Sequence, residues 1–554
     1  MYRLLLKSVK LQLLCIGLLA QLTQQAEQNF YTAGVVEFRQ AEGNELLVWQ
    51  ENLAGYLEII HSTNASATDI IIFPEATLNT IETASFVPAP EQQITPCLDD
   101  AQSLVYAEFL VKLSCAARET RKYIVINLSE QQLCSDTPED TRPCASTGYN
   151  IFNTNVVFDR QGAVISRYRK VHLYGEMRNS TFKPETVAFD TDFNVTFGHF
   201  ICFDIMFEQP TLQLLQQGVK DFVYPSMWFS QLPLLTSVQA QLSWAYANDV
   251  NLLAAGASMP KWGSTGTGIF HGRQGTIVSK MVTDAGERRI YVAQVPKYGP
   301  DNASQPPVDE LELLPRDSAS GLLLIKRDEL ENYKSVRLEQ LLPPSSGVSS
   351  GLLQHQLCHG FICCNFKLHW RRRQAADETN FSYRLGAFDG WREEQHIDDA
   401  NYVRNCAIFA CTGTSIEQCG LMPDLEQQQA AFSFDNLTIE ANYVKSSALL
   451  LMPNTLLADL YPLEPADFDW SLRELNNSHA IAARLTLTSP APHNLLTFAI
   501  YGNYFDDVCT YHPNGTTEQN LQCGFKPLDD GATQLQALGV ALSLLLALSL
   551  TLFN

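Results

Sequence analysis

The chain has 554 residues, which is too long for one ordinary hydrophobic core, so we expect two domains. A hydrophobic content of 45% and a charged content of 18% are typical of a globular protein. The formal net charge is −22 and no long basic face is visible, which argues against nucleic-acid binding because phosphate recognition needs clustered Lys and Arg.

Residues 1–26 are predicted to form a secretory signal peptide. Arg3, Lys7 and Lys10 supply positive charge around the start of an apolar stretch at residues 11–20, which is too short to span a bilayer. A buried N-terminal helix is the alternative, but such a helix would be amphipathic, whereas this stretch is apolar nearly all round. We therefore expect an exported protein.

Short apolar strands alternate with longer helical patterns through residues 27–315, which we assign to the first domain. Residues 70–73 are continuously apolar, as expected for a strand buried on both faces. The alternation predicts a layered α/β domain. The predicted strands are residues 34–38, 70–73, 123–127, 155–159, 163–168, 197–203, 222–225 and 251–257, and the predicted helices are residues 46–61, 104–120, 209–217 and 235–249.

A change of composition marks the end of this domain. Residues 300–307 are polar and contain Pro, and residues 343–350 are richer still in Pro, Ser and Gly. Beyond them, short β-like runs alternate with turns. We therefore predict a smaller β-rich domain at residues 316–528, with strands at residues 382–388, 448–452, 482–488 and 495–501.

The cysteine count fits a disulfide-stapled exported protein. Of 14 cysteines, one falls in the signal peptide, and reserving Cys202 as a free thiol leaves an even number that is compatible with disulfides. Cys115 lies in a helix-like run, where a free buried thiol is an equal alternative. Zinc binding by Cys358, His359 and Cys363 is the other alternative, but the spacing is irregular, so we expect disulfides and no metal.

Asn-x-Ser/Thr sequons agree with export and predict glycosylation of a secreted protein. The sequence contains such sites at Asn64, Asn127, Asn179, Asn194, Asn302, Asn380, Asn436, Asn476 and Asn514. Asn127 ends a strand-like run, which makes poor accessibility the competing expectation there.

Residues 529–554 are predicted to be a second sorting signal. Residues 537–553 are nearly all apolar, short residues precede them at 529–532, and no basic residue follows. This order is typical of a glycolipid-anchor signal, which places the protein on the extracellular face of a membrane. A tail-anchoring transmembrane helix is the alternative, and the missing cytoplasmic charges argue against it.

Three chemically capable side chains each lie at the carboxyl end of a predicted strand of the first domain. Glu75 follows residues 70–73, Lys170 follows residues 163–168, and Cys202 is the second-last residue of the run at residues 197–203. Open α/β sheets gather their ligands at the carboxyl ends of strands, so we expect the three to meet. Singly, each has an ordinary structural explanation: a helix start, a surface lysine and a small buried hydrophobic side chain.

Together the three side chains suit the hydrolysis of an amide. Cys202 is the natural nucleophile, because a thiolate attacks readily, and Glu75 is the general base that later protonates the leaving amine. Lys170 is a cation suited to the oxyanion, and the backbone N–H of Phe203 is a second donor. The sequence therefore predicts a thiol amidase acting on a small-molecule amide.

Three segments carry a family resemblance. They are similar to motifs of the nitrilase superfamily, and more closely to those of its vanin and biotinidase branch: Phe73-Pro74-Glu75, Arg167-Tyr168-Arg169-Lys170 with Leu173-Tyr174 and Glu176, and Cys202-Phe203-Asp204-Ile205. Similar stretches continue in the second domain at Cys358 with Cys363-Cys364, at residues 385–390 and at Cys419-Gly420, so the resemblance covers nearly the whole mature chain.

The resemblance implies an α-β-β-α sandwich at residues 27–315, followed by the smaller β-rich, disulfide-stapled C-terminal domain. It implies a catalytic triad of Glu75, Lys170 and Cys202, with Glu176 supporting the lysine and Trp228 forming a wall of the pocket. No cofactor is expected. Arg169 and Glu208 depart from the branch pattern, so we expect them to alter the charge of the pocket.

Three functions remain open at this point. The branch implies extracellular hydrolysis of pantetheine to pantothenate and cysteamine, and the predicted lipid anchor favours this activity. Hydrolysis of biotinyl-lysine is the second hypothesis. A non-catalytic surface protein that uses the same fold for binding or adhesion is the third, and the intact triad argues against it.

Overall fold

The computed structural model describes residues 29–98, 105–298, 323–344, 348–373, 380–392, 401–446, 448–475, 479–488, 490, 492 and 494–505, with the backbone of 508–511 and 521–524. The predicted signal peptide, the C-terminal sorting signal, the domain boundary at residue 315 and the sequons at Asn302, Asn476 and Asn514 lie outside the described residues. Within the described part of the chain, no helix is both long enough and apolar enough to cross a bilayer.

The first domain is built on one large sheet that forms two layers, with helices on its outer faces. Its strands are β1 Phe30–Phe38, β2 Ile70–Ile72, β3 Tyr123–Leu133, β4 Tyr149–Phe158, β5 Val164–Arg169, β6 Ala188–Asp190, β7 Thr196–His199, β8 Asp221–Ser226, β9 Gln231–Leu232, β10 Asn251–Ala257, β11 Thr267–His271, β12 Gly275–Lys280 and β13 Arg288–Pro296. Its helices are α1 Val48–His61, α2 Glu108–Thr120, α3 Thr211–Gln216 and α4 Ser237–Asn248.

The sheet runs in the order β5-β4-β3-β2-β1-β10-β8-β7-β6, with β13 beside β1, and β11 and β12 beyond β10. β1 and β10 share only two register pairs, Glu37↔Gly256 and Phe38↔Ala257, and this short junction divides the sheet into two layers. Side chains from both layers, including Val35, Ile72 and Leu253, form one buried cluster between them.

The outer faces are covered by helices, which completes the expected α-β-β-α sandwich. Helices α1 and α2 cover the β1–β4 layer, and α4 covers the β8 and β10 layer. Ile70 and Ile72 face the inner cluster, whereas Ile71 faces α1 and α2, so the continuous apolar run reflects burial on both faces of β2. The nitrilase-type fold prediction is thus confirmed.

The second domain is a β-sandwich with one core between two antiparallel sheets. Its elements are β14 Lys326–Arg327, β15 Lys334–Arg337, α5 Leu338–Leu341, β16 Ser350–His359, β17 Ile362–Arg372, β18 Ser382–Arg392, β19 Asn401–Cys411, β20 Phe432–Val444, β21 Leu449–Leu457, β22 Phe468–Glu474, β23 Ala480–Leu487, β24 Leu495–Tyr504, β25 Val508–Tyr511 and β26 Leu521–Gly524. The sheet orders are β15-β18-β19-β24-β21 and β16-β17-β20-β23-β22.

Disulfides staple both domains, as the cysteine pattern predicts. The described pairs are Cys97–Cys115, Cys134–Cys144, Cys358–Cys363, Cys364–Cys406 and Cys411–Cys419. Cys115 is therefore bonded, and the cysteines of the zinc alternative are joined to each other. Among the described residues, Cys202 is the free cysteine. This pattern is typical of an extracellular protein that folds in an oxidising compartment.

The sequons differ in accessibility. Asn64, Asn194 and Asn436 are exposed, and Asn179 and Asn380 are half-buried. Asn127 is 1% exposed, and its amide nitrogen donates hydrogen bonds to Asn153 and Asn155. The expectation of a glycan at Asn127 is wrong for the folded chain, because the attachment atom is enclosed and engaged.

Candidate active site

Glu75, Lys170 and Cys202 meet at the carboxyl ends of β2, β5 and β7. Lys170 Nζ donates to Glu75 Oε1 at 2.7 Å and to Glu176 Oε1 at 2.6 Å. Lys170 is 1% exposed and Glu75 is 3% exposed. A cation enclosed in this way is stable only because two carboxylates surround it.

Both oxygens of Glu75 are held in place. Oε1 accepts the Lys170 ammonium and the Asn153 amide, the latter at 2.7 Å, while Oε2 accepts the backbone N–H of Met227 at 2.7 Å. These bonds come from three different strands or strand ends. The carboxylate is therefore oriented before any substrate arrives.

Glu176 is the second carboxylate of the cluster. Its Oε2 accepts Asn153 Nδ2 at 2.7 Å and Arg178 Nη1 at 3.2 Å. Burial alone would raise the pKa of Glu176, but Lys170 and Arg178 hold that pKa below its ordinary value. Burial would likewise lower the pKa of Lys170, but Glu176 and Glu75 raise it well above its usual range, so the ammonium stays charged.

Cys202 opens a 3₁₀ turn at Cys202–Met206, where a strand was predicted to continue to residue 203. The strand ends at His199, and Cys202 adopts φ +46°, a left-handed conformation that costs a residue with a Cβ about 1–2 kcal/mol. The hydroxyl of Tyr224 donates a hydrogen bond to the backbone carbonyl of Cys202 at 2.9 Å. Strain of this kind persists only where surrounding contacts hold it.

Burial raises the pKa of the Cys202 thiol well above its ordinary value, the charge of Glu75 raises it further, and the charge of Lys170 lowers it. The carboxylate that can accept the thiol proton is therefore a near neighbour of Cys202.

Asp204 ties the cysteine turn to the lysine segment. Its Oδ2 accepts the N–H of Ile201 at 3.0 Å and the hydroxyl of Tyr168 at 2.8 Å, and its Oδ1 accepts the N–H of His172 at 2.9 Å. Asp204 is fully buried. It fixes where Cys202 lies relative to Lys170.

Sequence reasoning missed the amide groups that complete the site. Asn153 lies in β4 and bridges Glu75 to Glu176, and Asn127 of β3 donates to Asn153 Oδ1 at 2.7 Å. The sequence did hold a signal for these residues: Asn127, Asn153 and Asn155 are polar residues within otherwise apolar strand patterns.

The second domain supports the cysteine turn. Asn401 of β19 and Asn503 of β24 both donate to the carbonyl of Met206 at 2.8 Å. Met206 ends the turn that Cys202 begins. The site therefore depends on both domains.

Cys202 borders a pocket that is partly open to solvent. Its walls are mostly apolar, and Trp228 is one of them, with Nε1 donating to the carbonyl of Leu235 at 2.9 Å. The Phe203 ring forms another wall, 5.1 Å edge-to-face from Tyr174. The pocket is lined by Tyr174, Cys202, Phe203, Met206, Met227, Trp228, Phe229, Gln231, Leu235 and Arg392.

The expected effect of Arg169 on the pocket is corrected by the structure. Adjacent strand residues point to opposite faces, so Arg169 turns away from Lys170 and donates to Glu130 Oε2 at 2.8 Å. Its guanidinium also lies over the Phe152 ring, 4.4 Å from the centroid. Within the described residues, neither Arg169 nor Glu208 lines the pocket.

Comparisons with known proteins agree with this geometry. A family model described as carbon-nitrogen hydrolase matches residues 35–295, and one described as vanin C-terminal domain matches residues 323–508. Vanin-like protein 1 of Drosophila melanogaster is 54% identical over 541 residues, covering 95% of both chains. Vanin-like protein 2 of Drosophila melanogaster is 52% identical over 529 residues, covering 93% of this chain and 97% of the relative. Biotinidase of Takifugu rubripes is 31% identical over 413 residues, covering 71% of this chain and 75% of the relative.

Proposed function

The chain belongs to the carbon-nitrogen hydrolases of the vanin and biotinidase branch, and on that premise we propose that it hydrolyses pantetheine to pantothenate and cysteamine. Membership of the family makes it a hydrolase of non-peptide carbon-nitrogen bonds. The observation that carries the proposed mechanism is the buried carboxylate of Glu75, held by Lys170 at 2.7 Å and near enough to Cys202 for its charge to raise the thiol pKa.

In the first half of the reaction, Glu75 takes the thiol proton and Cys202 sulfur attacks the amide carbonyl. The oxyanion forms beside the Lys170 ammonium and the backbone N–H of Phe203. Glu75 then gives its proton to the nitrogen as the carbon-nitrogen bond breaks, so the amine leaves neutral and the acyl group stays on sulfur as a thioester.

In the second half, water replaces the amine. Glu75 takes a proton from water as its oxygen attacks the thioester, and Lys170 again faces the oxyanion. Collapse releases the acid, and the proton returns to the sulfur of Cys202. The positions of Glu75 and Lys170 suit both halves, because their mutual bond and Met227 keep the carboxylate in one orientation.

The proposal favours pantetheine because resemblance to the vanins implies that substrate, and it is supported by the greater similarity of this chain to a vanin-like relative than to biotinidase, at 54% against 31% identity. The likeness to biotinidase is the observation that keeps biotinyl-lysine as the second candidate. Both substrates are linear amides that need no cofactor.

The test is release of cysteamine from pantetheine by the purified protein, beside a biotinyl-lysine assay and a Cys202→Ala control. We expect pantetheine turnover that disappears in the variant. Turnover of biotinyl-lysine alone would replace the proposed substrate. A folded protein with no turnover of either, whose Cys202 also resists alkylation, would favour the non-catalytic surface role.

We further propose that the mature protein begins near residue 27, is glycosylated at Asn64, Asn194 and Asn436, and ends within residues 529–532, where a glycolipid on its last residue holds it at the cell surface. The disulfides and exposed sequons support export. Release from cells by a phosphatidylinositol-specific phospholipase tests the anchor, and retention after that treatment would favour the transmembrane tail.

A further inference from the structure

A second, larger cleft adjoins the pocket beside Cys202. The walls of this outer cleft come from the segment around β14 and from β18 and β19 of the second domain. Gln231 and Arg392 line both cavities. These two side chains therefore form the partition between the space around Cys202 and the outer cleft.

Arg392 reaches this partition from the end of β18 and is fixed there. Its Nε and Nη2 lie 3.3 Å from Asp328 Oδ1, and Nη2 also donates to Gln231 Oε1. Asp328 is itself anchored, because its N–H donates to the carbonyl of Leu232 at 2.8 Å. The Arg392 side chain is only 13% exposed, so it forms part of the wall between the pocket and the outer cleft.

The second domain and the pocket share a hydrophobic core. Phe203, Met206 and Trp228 belong to the same buried cluster as Phe388 and Val403 of the second domain. The guanidinium is therefore held at a set position relative to Cys202.

The chemistry of the walls indicates what the pocket takes. The acyl group stays bonded to sulfur after the amine leaves, so the pocket that Cys202 borders is the space available to it. The pocket is mostly apolar, and Arg392 and Gln231 are polar side chains in its lining. Asp328 neutralises the guanidinium, which disfavours a second carboxylate there and favours a neutral acceptor.

We propose that Arg392 is a specificity-determining residue contributed by the second domain, which donates a hydrogen bond to a neutral acceptor, a hydroxyl or an amide carbonyl, on the distal part of the acyl group. The outer cleft receives whatever extends beyond that acceptor. This inference rests on the proposed amidase function, and it gives the second domain a direct role in choosing substrates.

The test uses a series of amides with acyl chains of equal length that end in a methyl, hydroxyl, carboxamide or carboxylate group, plus one short acyl amide that does not reach Arg392. The variant is Arg392→Gln with Asp328→Asn, which removes the ion pair without leaving a buried charge. The matched control is Arg371→Gln with Asp435→Asn, an Arg–Asp pair of the same domain on β17 and β20.

In the wild type we expect kcat/KM to favour the hydroxyl and carboxamide chains over the methyl chain roughly tenfold to a hundredfold. The Arg392 variant loses that preference through KM, by a larger factor than any change in its rate on the short amide, and the control pair behaves as the wild type. A preference retained in the variant, or a wild-type preference for the carboxylate, would overturn the inference.

Failure of the proposed function has a different signature. If no amide were cleaved, the same amides would still be compared as protectants of Cys202 against iodoacetamide. Better protection by the hydroxyl chain, lost in the Arg392 variant, would support the subsite, and equal protection by the methyl chain would contradict it.

Discussion

Replacing Asn153 with leucine removes the amide that joins the two carboxylates of the site while keeping a similar side-chain volume. Each of its bonds, to Glu75 Oε1 and to Glu176 Oε2, measures 2.7 Å. Hydrogen bonds to charged groups contribute about 1.5–3 kcal/mol each, so their loss costs about 3–6 kcal/mol. The added apolar burial offsets about 1–2 kcal/mol, which leaves a net loss of about 1–5 kcal/mol.

The same change frees Glu75 to rotate. One of its three hydrogen-bond partners disappears, while Lys170 and Met227 remain. A small misplacement of a reacting group costs up to about a hundredfold in rate, so we expect kcat to fall roughly tenfold to a hundredfold. Urea denaturation measures the free energy of unfolding, and steady-state kinetics on the amide substrate measure kcat.

Asn155→Leu is the matched control, because Asn155 is two residues along the same strand and on the same face. It accepts a bond from Asn127 at 3.1 Å, its Nδ2 has no partner among the described residues, and it touches no carboxylate. We expect a change of about 1 kcal/mol or less and an unchanged kcat. Equal effects of the two variants, or an Asn153→Leu protein as stable and active as the wild type, would refute the reasoning.

Three further predictions concern other buried groups. Burial raises the pKa of Glu37 from an ordinary value of 4.5 to about 7, so the folded chain holds a proton that the unfolded chain releases between these values. The stabilisation that comes from this bound proton is complete below pH 4.5 and is lost as pH rises through 7. Because glutamine carries no charge at any pH, Glu37→Gln should raise Tm at pH 8, by an amount equivalent to about 3 kcal/mol, but not at pH 4.5. Asn503→Ala removes the 2.8 Å bond to the Met206 carbonyl and should cost about 1–2 kcal/mol in urea unfolding and lower kcat severalfold; an unchanged kcat would show that the turn does not need this support. Replacing Cys364 and Cys406 together by alanine opens a bridge with a sequence separation of 42 and should cost about 4 kcal/mol, measured by the denaturation midpoint, with a loss below about 1 kcal/mol contradicting the loop-entropy argument.

Much of the fold could be predicted from the local pattern of apolar residues in the sequence. The apolar run at Ile70–Ile72 is buried on both faces, and helix α1 lies within the helix predicted at residues 46–61. The end of β7 was predicted wrongly, because the apolar residues that follow His199 pack in a turn, and an apolar run does not reveal a left-handed residue at Cys202.

The site could be predicted only in part from the local sequence pattern. Glu75, Lys170 and Cys202 were found because each follows a strand, and strand ends are a local property of the sequence. Asn127 was read as a glycosylation site, although it is a buried partner of Asn153. A sequon records a tripeptide, whereas accessibility depends on which strands lie beside it.

The sequence by itself determined the layered first domain, the stapled β-rich second domain and the three side chains that can perform amide chemistry, because hydrophobic period and strand-end position are encoded within a few residues. Tertiary structure alone decided which buried polar groups meet. Asn153 lies 78 positions from Glu75, Arg392 lies 161 from Gln231, and Asn503 lies 297 from Met206. These pairs form because a buried polar group needs a partner in space, and the neighbours available to it are set by sheet order and domain packing.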